Sequence, residues 1–148
     1  IRMSKVFKLG ITSKNNQEIK EVESIEVLAD KGVVGDRHFK NFNDPYCQLS
    51  LIESENIDHY NIKYGLNISY INFRRNIVTK GIQLNELVGK KFKIGNVKVE
   101  GIDLCRPCRH LTEILSQNNI LKEFLRKGGL RCKILSSSKI TIGDKIVY

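Results

Sequence analysis

The stretch KFKIGNVKVEGIDL, residues 91–104, shows the pattern that dominates this chain. Apolar and polar residues alternate on either side of Gly95-Asn96, as they do in strands with one buried face. A Gly-Asn pair between two such runs favours a two-residue hairpin turn. Short alternating runs separated by glycine-containing turns recur along the chain, and strands are predicted at residues 5–12, 24–29, 74–79, 91–94, 97–102, 132–135 and 145–148.

Two helices are expected between these strands. The first begins at Ser50, because Ser50 and Glu53 match a capping box, and it extends to about Asn61. The second covers residues 119–127 and stops at the glycine pair 128–129, with one further turn at 112–117. Many short strands with few helices predict one mainly-β domain over residues 3–148, a barrel or a sandwich. Ile1 and Arg2 precede Met3 and are set aside.

Composition narrows the class of partner. Lysine and arginine exceed aspartate and glutamate by 25 − 16 = 9, which favours an anionic ligand. Nucleic acid is disfavoured, because the basic residues are spread along the chain and aromatic residues make up only 7%. No apolar run approaches the roughly 20 residues that cross a bilayer. A cytoplasmic protein with reduced thiols and no membrane contact is expected, with a phosphorylated small molecule as the partner.

The sequence Cys105-Arg106-Pro107-Cys108 follows directly after the predicted strand VKVEGIDL. A thiol in this position is held by the strand end, and neighbouring arginines favour the thiolate, which attacks electrophiles and binds soft metals. Three other interpretations stay open: half of a zinc site, a redox dithiol, and two thiols that pack as small apolar groups. Zinc would need Cys47 and Cys132 as separate single ligands.

The segment GVVGDRH, residues 32–38, predicts a sharp turn that exposes Asp36, Arg37 and His38. In the functional interpretation Arg37 and His38 grip an anion and Asp36 orients them. In the alternative interpretation the segment is a solvated turn, since a single histidine is more often structural than catalytic.

A second candidate for anion binding lies in FRRNI, residues 73–77. On a strand, Arg74 and Asn76 would share one face, and together they can hold a phosphate or a polar heterocycle. An exposed strand face without a ligand explains the same residues. The predicted helix start at Ser50 adds a further anion-binding end.

Taken in order, the segments GVVGDRH, QLSLIE, FRRNIVTKGIQLNELVGKKFKIG, CRPCRHL and GGLRCKILSSSKITIGDKI resemble the MOSC domain, the C-terminal domain of molybdenum cofactor sulfurase. The similarity spans roughly residues 5–148. It implies a MOSC-type β-barrel with a few short helices. It also implies binding of the molybdenum cofactor, molybdopterin, whose pterin is phosphorylated.

The resemblance assigns roles to particular residues. The family's key cysteine matches Cys108, which becomes the candidate catalytic residue and the candidate molybdenum ligand. The cofactor-holding Arg-x-Asn matches Arg74 and Asn76, and the serine of the Leu-Ser-Leu segment matches Ser50. With Arg37 and His38, these residues form the expected cofactor-binding set.

Two activities remain open at this point. Some family members reduce N-hydroxylated substrates on bound molybdopterin. Others are thought to carry sulfur as a cysteine persulfide received from a pyridoxal-phosphate-dependent cysteine desulfurase, in which case Cys105 could resolve a persulfide on Cys108. A protein that only mediates interactions would use neither thiol. The family's larger enzymes have an additional N-terminal portion that helps to enclose the cofactor, so this chain is expected to close its site with a partner protein or as a homodimer.

Overall fold

The computed structural model describes residues 4–13, 18–39, 44–106 and 109–148. These residues form short strands joined by a few helices. The strands are β1 (Lys5–Ile11), β2 (Lys20–Val22), β3 (Ser24–Leu28), β4 (Gly32–Val33), β5 (Leu49–Glu53), β6 (Ile77–Lys80), β7 (Lys91–Ile94), β8 (Val97–Leu104), β9 (Leu130–Ile134), β10 (Ser138–Thr141) and β11 (Ile146–Val147). The α-helices are α1 (Ser54–Tyr64), α2 (Arg109–Leu115) and α3 (Ile120–Glu123), and 3₁₀ helices cover Tyr70–Phe73 and Leu84–Leu87.

Eight of these strands form one sheet in the order β11-β7-β8-β9-β5-β6-β1-β2, and β10-β3-β4 form a second sheet. The large sheet curls so that β11, at one end, comes back to the start of β1, the strand next to the other end. The N–H of Ile146 donates to the carbonyl of Ser4, and the N–H of Val6 donates to the carbonyl of Asp144, each at 2.9 Å. The predicted mainly-β fold, with a curled barrel-like sheet and few short helices, is confirmed.

The predicted hairpin is also confirmed. β7 and β8 pair antiparallel with Ile94 opposite Val97, so Gly95 and Asn96 form the turn between them. Gly95 adopts a φ of 57°, a backbone conformation that glycine reaches without a steric cost.

Two apolar clusters stabilise the fold on opposite faces of β5 and β6. Leu51 and Ile77 point into the curled sheet and belong to its core. Ile52 and Val78 point to the other face and pack against the helices. The helical cluster includes Ile57, Tyr60, Phe73, Leu111, Ile120 and Phe124. Because both faces are covered, β5 and β6 are fixed on both sides, and the residues at their ends have defined positions.

The predicted helix starting at Ser50 is wrong. Ser50 lies within β5, which pairs with β6 on one side and with β9 on the other. The helix begins only at Ser54, with Glu53 at its N-cap. Both apolar residues between Ser50 and Glu53 are fully buried on opposite faces, an arrangement that a strand provides.

The second predicted helix, at residues 119–127, is shorter in the structure. α3 covers only Ile120–Glu123, while the single turn expected at 112–117 is the longer helix α2, Arg109–Leu115. Strand predictions were correct in place for β1, β3, β7, β8, β9 and β11, and the strand predicted at 74–79 is present only from Ile77, as β6. Four strands were missed among the described residues. The missed strands are Lys20–Val22, Gly32–Val33, Leu49–Glu53 and Ser138–Thr141.

Candidate functional site

Several strand ends meet at one edge of the curled sheet. β5 and β6 run parallel and start side by side, and β1 ends beside the start of β6. β9 runs antiparallel to β5 and places Arg131 opposite Ser50, while β8 ends beside β9 with Leu104 opposite Leu130. Segments far apart in the sequence therefore become neighbours here.

A cavity of about 50 Å³ lies at this edge. All five cofactor-binding residues predicted from the sequence line it: Arg37, His38, Ser50, Arg74 and Asn76. Six further residues complete its described lining: Tyr46, Cys47, Leu49, Arg75, Cys105 and Arg131. We call this cavity the arginine pocket, after Arg37, Arg74, Arg75 and Arg131.

Arg74 reaches the pocket from an unusual backbone conformation. It follows the 3₁₀ helix Tyr70–Phe73 with φ 65° and ψ 30°, in the left-handed region, and it is only 8% exposed. The expectation that Arg74 and Asn76 share one face of a strand at 74–79 is therefore wrong, since β6 begins at Ile77. The two side chains line the same pocket even so, and because the chain turns at Arg74 instead of alternating, Arg75 lines it as well.

Asn76 and Ser50 lock the floor of the pocket. The side-chain oxygen of Asn76 accepts hydrogen bonds from the N–H of Ser50 at 3.2 Å and from its hydroxyl at 3.3 Å. The N–H of Asn76 donates to the Ser50 oxygen at 3.2 Å, and its side-chain NH₂ donates to the carbonyl of Gly10 at 3.3 Å. These bonds tie the starts of β5 and β6 to β1.

Asp36 supports the other wall. The expected turn exposing Asp36 is wrong for this residue, which is 6% exposed. Its carboxylate accepts hydrogen bonds from the N–H of Thr12 at 3.0 Å and of His38 at 3.3 Å. Its oxygens also lie 3.9 Å from the Arg37 guanidinium and from Nδ1 of His38. Asp36 therefore forms an ion pair with Arg37 and holds the backbone at His38, while the grip on an anion stays a prediction.

The pocket carries an excess of positive charge. Burial lowers the pKa of Arg37 and of Arg74. The negative charge of Asp36 acts in the opposite direction and raises the pKa of both, but by less than burial lowers it. The neighbouring Arg74 and Arg75 lower the pKa of Arg37 further. An arginine side chain keeps its charge at neutral pH in proteins. The described residues that line the pocket include no carboxylate, so an anion would relieve the repulsion.

Cys105 follows β8 and lines the pocket, with 1% of its surface exposed. Its N–H donates to the carbonyl of Gly129 at 2.8 Å. Cys132 lies nearby on β9, fully buried, and burial, then the neighbouring Cys105, raises the pKa of the Cys132 thiol well above its usual range. Cys108, the predicted metal ligand, and Pro107 lie outside the described residues.

Sequence reasoning missed Arg75, Arg131 and Cys47 as pocket residues. Arg131 could have been chosen, because it precedes Cys132 within the segment GGLRCKIL. Arg75 was assigned to the opposite strand face from Arg74, which the left-handed turn at Arg74 invalidates. Within the described residues, no three His, Cys, Asp or Glu side chains cluster as metal ligands do.

A larger groove of about 790 Å³ runs along α1 and the loop after it, lined by Lys8, Glu21, Asp58 and Tyr70 among others. It is wide and open, and its charges are of both signs. We place the candidate site in the smaller cavity because its polar groups converge and are buried. Among the described residues, no helix is long and apolar enough to span a membrane.

The fold and the pocket define a class: a mainly-β protein with a curled sheet and a cationic pocket at one sheet edge. A family-wide profile of the MOSC domain matches residues 35–147, and the chain therefore belongs to the MOSC domain family, which is associated with molybdenum cofactor binding. A search of curated proteins finds no match.

Solved structures show the same fold. The YuaD protein from Bacillus subtilis has a TM-score of 0.81 and 20% identity, with 100% of this chain and 98% of that chain covered. YiiM from Geobacillus stearothermophilus has a TM-score of 0.76 and 15% identity, covering 97% and 74%. YiiM from Escherichia coli has a TM-score of 0.70 and 17% identity, covering 99% and 69%.

Proposed function

We propose that this protein binds the molybdenum cofactor by its phosphate group in the arginine pocket. The observation that carries the proposal is the convergence of Arg37, Arg74, Arg75 and Arg131 on one cavity whose described lining holds no carboxylate. Arginine is the side chain best suited to bind a phosphate through paired hydrogen bonds.

The size and burial of the pocket fit that role. Its volume of about 50 Å³ is well below the roughly 300–1,000 Å³ of pockets that enclose a whole small molecule. It therefore suits a phosphate, with the remainder of the cofactor outside it. Arg37 has a side chain that is 12% exposed, and Arg74 is 8% exposed. Asp36 lies 3.9 Å from the Arg37 guanidinium, and a bound anion would offset the remaining positive charge of the four arginines.

The residues of the chain have separate tasks in this proposal. Arg37 and Arg74 bind the phosphate, Asp36 holds Arg37 in place, and the Ser50–Asn76 hydrogen bonds keep the strand ends together. When bound, the cofactor would supply a molybdenum centre, and Cys108 is its proposed thiolate ligand because thiolate is a soft donor. A reductase-like or cofactor-handling role follows from that ligand set.

Cofactor binding is favoured over sulfur carriage by the buried arginines. A persulfide carrier needs one accessible cysteine and a docking surface, and it does not need four arginines that converge on one cavity. Sulfur transfer from a cysteine desulfurase to Cys108 is therefore an outcome of the test and not the proposal itself.

The test is the cofactor content of protein purified from a host that makes the molybdenum cofactor. We expect molybdenum and pterin in the wild type, and at least a tenfold weaker retention in Arg74→Gln, as a lost charge-assisted hydrogen bond of about 1.5–3 kcal/mol requires. Lys93→Gln is the matched control. Lys93 is exposed on β7 and pairs with Lys98 near the start of β8, whereas the pocket lies at the other end of that strand.

Wild-type protein with neither molybdenum nor pterin would overturn the proposal, and so would Arg74→Gln with an unchanged content. Added sulfur on Cys108 after incubation with a desulfurase and cysteine, without bound pterin, would favour the sulfur carrier instead.

A further inference from the structure

Arg75 lines the arginine pocket, but both of its hydrogen bonds go to carbonyls of residues that do not line it. Its Nε donates to the carbonyl of Gly128 at 3.0 Å, and its Nη1 donates to the carbonyl of Phe73 at 3.4 Å. A guanidinium has five N–H groups, so three remain without a hydrogen bond to the described residues. Arg75 therefore has donors for the segment behind it and donors for a ligand.

The segment behind Arg75 is tightly held against the sheet. Gly128 and Gly129 are both buried, and Gly129 has a φ of 109°. A Cβ on Gly129 would lie 1.8 Å from the carbonyl oxygen of Leu51, so the backbone touches β5 directly. On its other side, the carbonyl of Gly129 accepts the 2.8 Å hydrogen bond from the N–H of Cys105.

These contacts form one chain of neighbours: the pocket, Arg75, the glycine pair, and Cys105. Because Gly128 and Gly129 have no side chains, only contacts made by their own backbone atoms hold them in place. The Arg75 guanidinium and the N–H of Cys105 hold two successive carbonyls of that segment. Two hydrogen bonds, to the carbonyls of Gly128 and Gly129, therefore link Arg75 to the backbone of Cys105.

We propose that Arg75 is a positioning residue that couples the arginine pocket to Cys105. An anion bound in the pocket engages the remaining N–H groups of Arg75 and fixes its side chain. The fixed side chain holds the glycine pair against β5, and Cys105 stays buried at the end of β8. The inference rests on the proposed function only in requiring that an anion binds in this pocket.

The experiment measures alkylation of Cys105 by iodoacetamide, followed by mass spectrometry of the peptides. The full chain carries Cys108→Ser, so that labelling of the neighbouring thiol does not interfere. A buried thiol reacts only when its surroundings open locally. We expect Cys105 to react about tenfold faster in Arg75→Gln than with Arg75 present. Arg75→Lys should restore part of the slow rate, because it can still donate to the Gly128 carbonyl.

Cys132 is the internal control in every sample, because it is fully buried on the adjacent strand. If the substitution frees only Gly128 and Gly129 from β5, the alkylation rate of Cys132 should be the same with Arg75 present and in Arg75→Gln. Equal acceleration of both thiols would mean general destabilisation and would overturn the inference, as would an unchanged Cys105 rate in Arg75→Gln.

A second experiment repeats the alkylation of Cys105 in the presence of inorganic phosphate. At concentrations that saturate each variant in a thermal shift measurement, phosphate should slow Cys105 alkylation about threefold with Arg75 present and have little effect in Arg75→Gln. If phosphate slowed Cys105 alkylation equally with Arg75 present and in Arg75→Gln, phosphate would simply block the thiol. The proposed coupling through Arg75 would then be wrong. If no variant binds phosphate, the proposed function fails, while the rates without phosphate still test the link from Arg75 to Cys105.

Discussion

Arg74 shows how a single residue combines binding with backbone strain. It adopts a left-handed conformation, φ 65° and ψ 30°, that costs a residue with a Cβ about 1–2 kcal/mol. Its N–H still donates to the carbonyl of Ile71 at 2.9 Å, which closes the preceding 3₁₀ turn. With this turn, the Arg74 side chain lies in the lining of the pocket. Such strain is commonly found where function requires it.

The strain at Arg74 can be measured with a pair of substitutions. We expect Arg74→Gly to be more stable than Arg74→Ala by about 0.5–1 kcal/mol, because glycine removes the left-handed penalty, and its larger unfolded-state entropy offsets only part of that gain. Urea unfolding of the two proteins provides the comparison. Both should lose cofactor binding, since neither has a guanidinium at this position.

Arg126 offers the control for this pair. Its φ is 62°, but it is exposed and lies outside the arginine pocket. Glycine should exceed alanine in stability by a similar amount at position 126, with no loss of cofactor binding. Equal stability of the glycine and alanine proteins at position 74 would show that the backbone there carries no strain.

Which pocket residues could be predicted depended on the local pattern around them. Arg37, Arg74 and Asn76 belong to segments whose residue types suggest anion binding, and all three line the pocket. Arg75 was excluded by the assumption of strand alternation, which holds only from Ile77 onwards. Arg131 enters the pocket because β9 pairs with β5, a contact that no local pattern contains.

At the scale of elements, β5 shows where local reasoning fails. Ser50 and Glu53 satisfy the capping-box pattern, yet they lie in a strand. Its partners are β6, about 26 positions along the chain, and β9, about 80 positions along, so pairing at long range outweighs the local preference. The β7–β8 hairpin was predictable because its partners are adjacent in sequence and its turn residues are specific.

The close approach of the glycine segment to β5 gives the prediction at this scale. Gly129→Ala should destabilise the protein by at least about 2 kcal/mol more than Gly143→Ala. Both glycines have a positive φ, 109° and 93°, so both substitutions carry backbone strain. A Cβ at 129 meets the Leu51 carbonyl at 1.8 Å, whereas a Cβ at 143 meets no atom within 4 Å.

The measurement is the urea midpoint of each variant, converted to a free energy of unfolding. The difference between the two variants isolates the clash, because the conformational penalty is common to both. A loss at position 129 no larger than the loss at 143 would mean that the glycine segment can move away from β5. That outcome would also weaken the path from Arg75 to Cys105.

At the scale of the whole molecule, curling of the sheet is what assembles the site. Arg37, Arg74 and Arg131 are far apart in sequence, and they meet because several strand ends share one edge. The order of the motifs along the chain was enough to predict the class of fold. It was not enough to predict the net charge of the pocket, which depends on which side chains the curled sheet brings together.

That concentration of charge predicts how the protein responds to anions. Bound phosphate should stabilise the wild type by about 2.7 kcal/mol at roughly one hundred times its dissociation constant, beyond the effect of chloride at equal ionic strength. The formal net charge of +9 is screened alike by both salts, so general screening does not produce the difference.

Phosphate also stabilises proteins by exclusion from their surface. Arg74→Gln corrects for this, since it keeps the surface and removes one pocket guanidinium. Thermal unfolding should show most of the phosphate effect lost in Arg74→Gln and retained in Lys93→Gln. An equal phosphate effect in all three proteins would mean that the arginines do not form an anion site.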